Sequence, residues 1–186
     1  MKKTCLVLAA LATVVTVFVS GCGYSTRSLA YGKSTKIYIK PFENQVDLNI
    51  NSDLSDKNPY RLYRAGMEVK VTNAVVNKFM VDGYLSVVSD EDQADLVIRG
   101  ALINYNKQPL RYDQRSENVE EYRANIIVNV SLEDAVNAKT VWTEQGFVGY
   151  QEYALTGPKA KSEETAINEA IEDLAKRIVE RTVEDW

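Results

Sequence analysis

Residues 119–132 alternate between apolar and polar side chains, and this period of two limits the fold more than any other feature of the sequence. The apolar face of this pattern consists of Tyr122, Ala124, Ile126, Val128 and Val130. Such a strand places one face on a core and the other toward solvent, as in an antiparallel sheet covered on one side. Further strand patterns occur at 36–40, 84–88, 96–105 and 140–150. Gly100 interrupts the third of these, where a bulge or a close approach is expected.

Two helical patterns accompany these strands. The first covers 60–81, with Gly83 at its C-cap position, and has two apolar faces, so we expect it to be covered on more than one side. One face consists of Leu62, Ala65, Val69, Val76 and Phe79, and the other of Met67, Val71, Ala74 and Val75. The closing helix begins after Ser162, and its apolar stripe is Ile167, Ile171, Leu174 and Ile178. The order β-α-β-β-β-β-α predicts an α+β fold, a two-layer sandwich with two helices packed on one face of a mixed four- to five-stranded sheet.

The N-terminus has the three parts of a secretory signal. Lys2 and Lys3 precede a mostly apolar run from Leu6 to Val19, which is too short for a comfortable membrane span of about 20 residues. The run ends in Val-Ser-Gly-Cys rather than an A-x-A-like site, and this ending resembles the bacterial lipobox. That resemblance implies that Cys22 is acylated and becomes the first mature residue. The alternative is a plain secretory signal that happens to hold a cysteine there.

The predicted organisation is therefore a cleaved signal peptide at 1–21, a lipidated tether at 22–35 and a single domain at 36–186. Cys5 lies in the discarded segment, so the mature chain keeps one cysteine and no disulfide is possible. Gly23 rather than Asp follows Cys22, and resemblance to enterobacterial sorting rules implies the outer membrane as the destination. Several buried acyl chains would hold the protein there essentially permanently.

Composition excludes several classes of function. The chain has 186 residues, a formal charge of −4 and no histidine, so it cannot form a Ser-His-Asp triad, a Cys-His pair or a histidine metal site. The acidic balance argues against nucleic-acid binding. The acidic run 90–95 has Ala94 at a ligand position and Asp95 where a calcium loop needs glycine, so we expect a solvated turn. With no phosphate-binding loop or nucleophile elbow, we predict no catalytic residues, no metal and no cofactor.

Two side-chain patterns remain for function. The eleven tyrosines are enriched around 105–122 and 150–153, where they suit either a half-wet interface or ordinary strand packing. A polar hairpin loop is predicted at 106–118, and four cations lie in or near it: Arg99, Lys107, Arg111 and Arg115. Lys159 and Lys161 precede the closing helix. The cations of these loops either bind phosphate groups or are simply solvated, and the composition of the loops is compatible with both.

Taken in order, several segments resemble one family. They are GCGYSTRSL, IYIKPFEN, NKFMVDGYLSVVSDEDQADLVIRGALINY, EYRANIIVNVSLED, the VW at 141–142 and ETAINEAIEDLAKRIVERTVEDW. The chain is similar to the outer-membrane lipopolysaccharide-assembly lipoproteins of the LptE family. That resemblance implies a non-enzymatic protein in the outer membrane, lipid-anchored on the periplasmic side. It further implies a domain that plugs a large β-barrel partner, LptD, helps that barrel assemble and binds lipopolysaccharide.

The resemblance also implies which residues meet the phosphates of the glycolipid. Arg115 and Lys161 match best, Lys159 is a near-equivalent of Lys161, and Arg111 belongs to the same basic segment as Arg115. Some of the same sequence segments also resemble periplasm-facing lipoproteins that activate a peptidoglycan synthase or assemble a secretion pore. Those proteins often carry a long tether, whereas this one has about a dozen residues and reaches at most ~40 Å. A short tether favours the barrel plug.

Overall fold

The computed structural model describes residues 35–46, 64–113, 118–158 and 160–184. The predictions for the signal peptide, for Cys22 and for the tether up to residue 34 therefore lie outside the described residues. The strands are β1 Lys36–Ile39, β2 Glu43–Asn44, β3 Ser86–Val87, β4 Leu96–Tyr112, β5 Val119–Asp134 and β6 Lys139–Ala154. The helices are α1 Met67–Asp82 and α2 Glu163–Glu184, and a short 3-10 turn spans Glu91–Gln93.

The strands form one mixed sheet in the order β3-β1-β4-β5-β6. β1 pairs in parallel with β3 and β4, whereas β4, β5 and β6 form an antiparallel meander. β2 adds a short parallel pairing to β4 and was not predicted, because two residues leave no periodicity to recognise. Both helices pack on this sheet, so the predicted α+β class with two helices on a mixed sheet is confirmed. Neither helix in the described ranges is long and apolar enough to cross a membrane.

Helix α1 buries residues of both predicted apolar faces. Its buried residues are Met67, Val71, Ala74, Val75 and Phe79, of which Phe79 belongs to the first predicted face. Val76 of that face packs partly against the core, whereas Val69 is 56% exposed. The helix contacts α2 as well as β1 and β3, so it is covered on more than one side, as predicted, except at Val69. The helix also begins later than predicted, because Gly66 has a φ of 82° and stands outside the helical conformation.

Helix α2 follows the prediction closely. Ser162 Oγ accepts a hydrogen bond from the Thr165 backbone N–H at 3.1 Å, which is the expected N-cap. The predicted apolar stripe is buried throughout. Gly149 of β6 allows the helix to come close, since a Cβ there would collide with Leu174 and with the carbonyl of Ala170. The Asp173 carboxylate accepts the Tyr150 N–H at 3.0 Å, which ties α2 to the outer strand of the meander.

The sheet is longer than the sequence indicated. β4 continues to Tyr112 and β5 begins at Val119, so more than half of the predicted loop at 106–118 is strand. The reason is cross-strand pairing, because the polar side chains of this stretch face partners on β5 rather than water alone. Gly100 shows the predicted close approach, since a Cβ there would collide with the Phe42 ring, whereas the irregular register lies between Leu102 and Asn104.

Candidate functional site

The first residue of α2 gathers three hydrogen bonds from other parts of the chain. The Glu163 carboxylate accepts hydrogen bonds from Arg64 at 3.1 Å, from the Tyr105 hydroxyl at 3.1 Å and from Lys107 at 2.9 Å. Burial acts to raise the pKa of Glu163, but Lys107, Tyr105 and Arg64 together lower it below its ordinary value. These four residues, the Glu163 cluster, connect β4, the start of α2 and the segment before α1.

Tyrosines pack beside the Glu163 cluster. The rings of Tyr122 and Tyr153 are stacked with centroids 6.0 Å apart, and Lys107 Nζ lies 4.8 Å from the centroid of the Tyr122 ring. Tyr105 and Tyr153 are buried, and burial raises the pKa of both phenols. Within the described residues the Tyr153 hydroxyl has no hydrogen-bond partner. Buried strand packing therefore explains these two tyrosines, whereas Tyr112 and Tyr150 are exposed, and the Tyr150 ring lies against Arg123 and Arg177.

An open cleft of about 810 Å³ lies next to this cluster, between the ends of β5 and β6 and the loop that leads into α2. Arg111 and Lys161 both line it, so the structure brings together two residues that are fifty positions apart. Glu121, Glu152, Tyr153 and Thr156 are among the other lining residues. Two further predicted residues, Arg115 and Lys159, lie outside the described ranges.

Both cations of the cleft have carboxylate neighbours. Arg111 lies 3.0 Å from Glu120 and 3.8 Å from Glu121, and its side chain is 60% exposed. Lys161 lies 2.5 Å from Glu169. Exposed pairs of this kind contribute about 0–1 kcal/mol each, so the carboxylates do not hold either cation strongly. An arginine can then hold a phosphate through two parallel hydrogen bonds.

Backbone hydrogen bonds hold the loop before α2 in place. Gly157 has a φ of 87° and turns the chain, and its carbonyl accepts the N–H of Ala160 at 3.1 Å. The Lys161 N–H then donates to the Ala154 carbonyl at 3.1 Å. Lys161 is therefore presented from a fixed backbone rather than from a free loop, and no local sequence pattern indicated this.

Two other cations of the predicted basic loop have structural roles instead. Arg99 lies near the start of β4 and is bound by Glu91 and by Glu133, the latter at 2.9 Å. Lys107 belongs to the Glu163 cluster, and its side chain is only 18% exposed. The prediction of one positive loop from Arg99 to Arg115 is therefore wrong for these two residues, because strand geometry turns each toward an acidic partner.

The cleft lies at the opposite end of the sheet from Thr35, where the described chain begins. Glu121 pairs with Arg111 at the cleft end of β5. Asp134 pairs with Leu96, which in turn pairs with Ile37 of β1 at the other end. The thirteen residue steps of β5 between Glu121 and Asp134 span roughly 40 Å at about 3.3 Å per residue.

Comparison with known proteins gives one family and several similar folds. The family model described as LptE, lipopolysaccharide-assembly, matches residues 35–182. No curated protein matches the chain.

Three solved structures are similar in architecture. The hypothetical protein CT253 of Chlamydia trachomatis is 10% identical, with 82% of this chain and 97% of that chain covered and a TM-score of 0.51. Protein XCC0632 of Xanthomonas campestris is 12% identical, with 84% and 88% covered and a TM-score of 0.50. A PelC dodecamer from Paraburkholderia phytofirmans is 14% identical, with 79% and 90% covered and a TM-score of 0.45. At such low identities, the similarity to CT253 and XCC0632 shows the fold alone.

Proposed function

The chain belongs to the LptE lipopolysaccharide-assembly family, and from this premise we propose that it is a non-enzymatic plug of an LptD-type outer-membrane β-barrel. In this role it helps the barrel assemble and binds lipopolysaccharide on its way to the outer leaflet. The observation that carries the proposal is the placement of Arg111 and Lys161 in one cleft, at the end of the sheet farthest from Thr35.

The cleft offers both kinds of contact that a phosphorylated glycolipid needs. Arg111 and Lys161 bind its phosphates by displacing the exposed carboxylates beside them. Exposed apolar side chains next to the cleft meet its acyl chains; they are Leu110, Tyr112 and Leu155. Arg115 and Lys159 join the proposal through their sequence positions, one between Asp113 and Asn118 and the other immediately before Ala160.

The length of the sheet suits a protein anchored at one side of a bilayer. A lipid on Cys22 places the Thr35 end at the periplasmic face of the outer membrane. The cleft then lies roughly 40 Å away, which is close to the thickness of a bilayer with its headgroups, about 40–45 Å. At that level the cleft meets the phosphates of glycolipid in the outer leaflet.

The sheet face opposite the helices suits the lumen of a barrel. It carries uncharged polar side chains, among them Asn106 and Asn125, which are hydrogen-bonded to each other at 2.8 Å, and charged side chains that are paired, such as Arg123 with Glu152. Asn129 on the same face accepts the Gly146 N–H at 2.9 Å. The inner walls of outer-membrane barrels are polar, so a polar sheet face can lie against them without burying unpaired charge.

The experiment that tests the proposal is a pull-down of tagged full-length protein in mild detergent, followed by mass spectrometry of the proteins and lipids that elute with it. We expect an outer-membrane β-barrel in equal amount, with lipopolysaccharide in the eluate. A peptidoglycan synthase or a homo-oligomeric ring in place of the barrel would overturn the plug proposal and favour the other class of periplasm-facing lipoprotein.

A further inference from the structure

The end of the domain at which the described chain begins carries four exposed apolar side chains. They are Met80, Val81, Tyr84 and Val136, and we name them the anchor-end patch. Val81 is 80% exposed and Val136 is 74% exposed, which makes them the two most exposed large hydrophobic residues in the described ranges. Single exposed apolar residues are ordinary, but four at one end of a domain indicate a contact.

Hydrogen bonds place the patch on both sides of the chain entry. On one side, the Ser86 N–H donates to the Thr35 carbonyl at 3.0 Å, and Tyr84 lies two residues before Ser86. Met80 and Val81 belong to the last turn of α1, directly before Tyr84. One flank of the patch is therefore adjacent to the point from which the tether leads back to Cys22.

The other flank is connected through Asp95. The Asp95 N–H donates to the Lys36 carbonyl at 2.9 Å, and the Lys36 N–H donates to the Asp95 carboxylate at 2.7 Å. The Ala135 N–H donates to the Asp95 carbonyl at 2.9 Å, so Val136 in the β5–β6 turn is held at the same end. The tether thus enters between two groups of exposed apolar side chains.

We infer that the anchor-end patch, which lies at the periplasmic rim of the proposed plug, contacts the headgroup interface of the membrane leaflet that holds the lipid on Cys22. The inference rests on the lipid anchor of the proposed function. The short tether keeps this end of the domain close to the bilayer, so the patch meets lipid at high local concentration. Tyr84 combines an aromatic ring with a polar hydroxyl, which is the side-chain type enriched at headgroup level.

The charges at this end decide which lipid surface it meets. Asp82 ends α1, and the acidic turn with Asp90 and Asp92 lies between β3 and β4 at the same end. Lys36 and Lys139 begin β1 and β6 at this end as well, so charges of both signs oppose each other there and the attraction is chiefly apolar. The matching surface is a zwitterionic phospholipid bilayer, and the contact depends little on salt.

The test uses the lipidated full-length protein in vesicles of phosphatidylethanolamine and phosphatidylcholine that carry nitroxide-labelled lipid. In the mature chain the sole cysteine, Cys22, is blocked by its acyl group, so an introduced cysteine is the only free thiol. An environment-sensitive fluorophore is attached to Val81→Cys, to Val136→Cys and to the control Val69→Cys. Val69 is exposed on the same helix as Val81 but lies outside the anchor-end patch, eleven residues before Met80, the first residue of the patch.

We expect the nitroxide to quench the fluorophores at 81 and 136, with little quenching at 69. Adding Val81→Asp to the Val136→Cys protein should reduce quenching at 136, whereas adding Val69→Asp should not. Equal quenching at all three positions would overturn the inference. Protein that fails to sediment with the vesicles would overturn the lipid anchor itself. A protein that binds neither lipopolysaccharide nor a barrel would still give the same quenching and the same sedimentation in these vesicles. Failure of the proposed function can therefore be distinguished from failure of this membrane contact.

Discussion

The Glu163 carboxylate accepts a hydrogen bond from Lys107 Nζ at 2.9 Å, and this contact joins the first turn of α2 to β4 across 56 residues of sequence. The same carboxylate also binds Arg64 and Tyr105. The Glu163 cluster therefore holds the elements beside the cleft in a fixed relation, and Lys161 lies only two residues before Glu163.

Replacing Glu163 with glutamine should destabilise the protein. Glu163→Gln removes the charge that pairs with the mostly buried Lys107, and a lost charge-assisted hydrogen bond of this kind costs about 1–3 kcal/mol in free energy of unfolding. Urea denaturation of both proteins measures the difference. Glu164→Gln is the matched control, because Glu164 lies on the same helical turn but is exposed. Equal stability of the two variants would contradict the role of the cluster.

The Glu163 cluster should also make stability depend on acidity. Because the pKa of Glu163 is lower in the folded protein than its ordinary value of 4.5, folding favours the charged form. The stabilisation is complete above the pKa of the unfolded chain and is lost as pH falls through the lower pKa of the folded state. The difference in unfolding free energy between wild type and Glu163→Gln should therefore be constant from pH 7 to about 5 and shrink below that. A difference that grows on acidification would refute this assignment.

Reversing the charges of the cleft should weaken glycolipid binding. Arg111→Glu combined with Lys161→Glu, or Arg115→Glu combined with Lys161→Glu, should raise the dissociation constant for lipopolysaccharide by roughly tenfold or more, since each lost contact to a charged group is worth about 1.5–3 kcal/mol. Fold and barrel association should be unchanged. Titration calorimetry measures the affinity. Lys139→Glu with Lys176→Glu makes the same change in charge outside the cleft, and unchanged binding by both cleft variants would remove these residues from the site.

Adding a methyl group at Gly149 should destabilise the contact between α2 and β6. A Cβ at this position meets Leu174 Cβ, Leu174 Cα and the Ala170 carbonyl, none of which can move without shifting the helix. Overpacking of this kind costs about 1–3 kcal/mol, so Gly149→Ala should lower the midpoint of thermal unfolding by several degrees. The exposed Gln145→Ala on the same strand serves as the control. A thermal midpoint equal to that of the control variant would mean that α2 can shift away from β6 without loss of stability.

Removing the predicted lipid attachment should abolish acylation of the protein. Cys22→Ala leaves no thiol to acylate at this position, so we expect no incorporation of labelled fatty acid. Cys5→Ala should behave as wild type, because Cys5 lies in the segment that is cleaved. Labelled acyl chains on the Cys22→Ala protein would refute the lipobox assignment.

The sequence by itself determined the features that are local. The alternation in β5, the apolar stripe of α2, its Ser162 cap and the order of the elements all depend on side-chain periods within one segment, and the structure confirms each of them. These predictions succeed because strand and helix geometry are expressed over a few neighbouring residues. The site residues Arg115, Lys161, Lys159 and Arg111 stay a prediction, although Arg111 and Lys161 line one cleft.

Only the tertiary structure decided the features that depend on distant partners. Both predicted faces of α1 are apolar in the sequence, and packing against α2 and the sheet buries Met67 and leaves Val69 exposed. Likewise, Lys107 looked like a loop cation until Glu163, far along the chain, was placed beside it. The periodicity of a segment indicates that one of its faces can be buried. The positive charge of a side chain indicates that it can bind an anion. Which partner fills that role is set by contacts between remote segments, for which no local pattern exists.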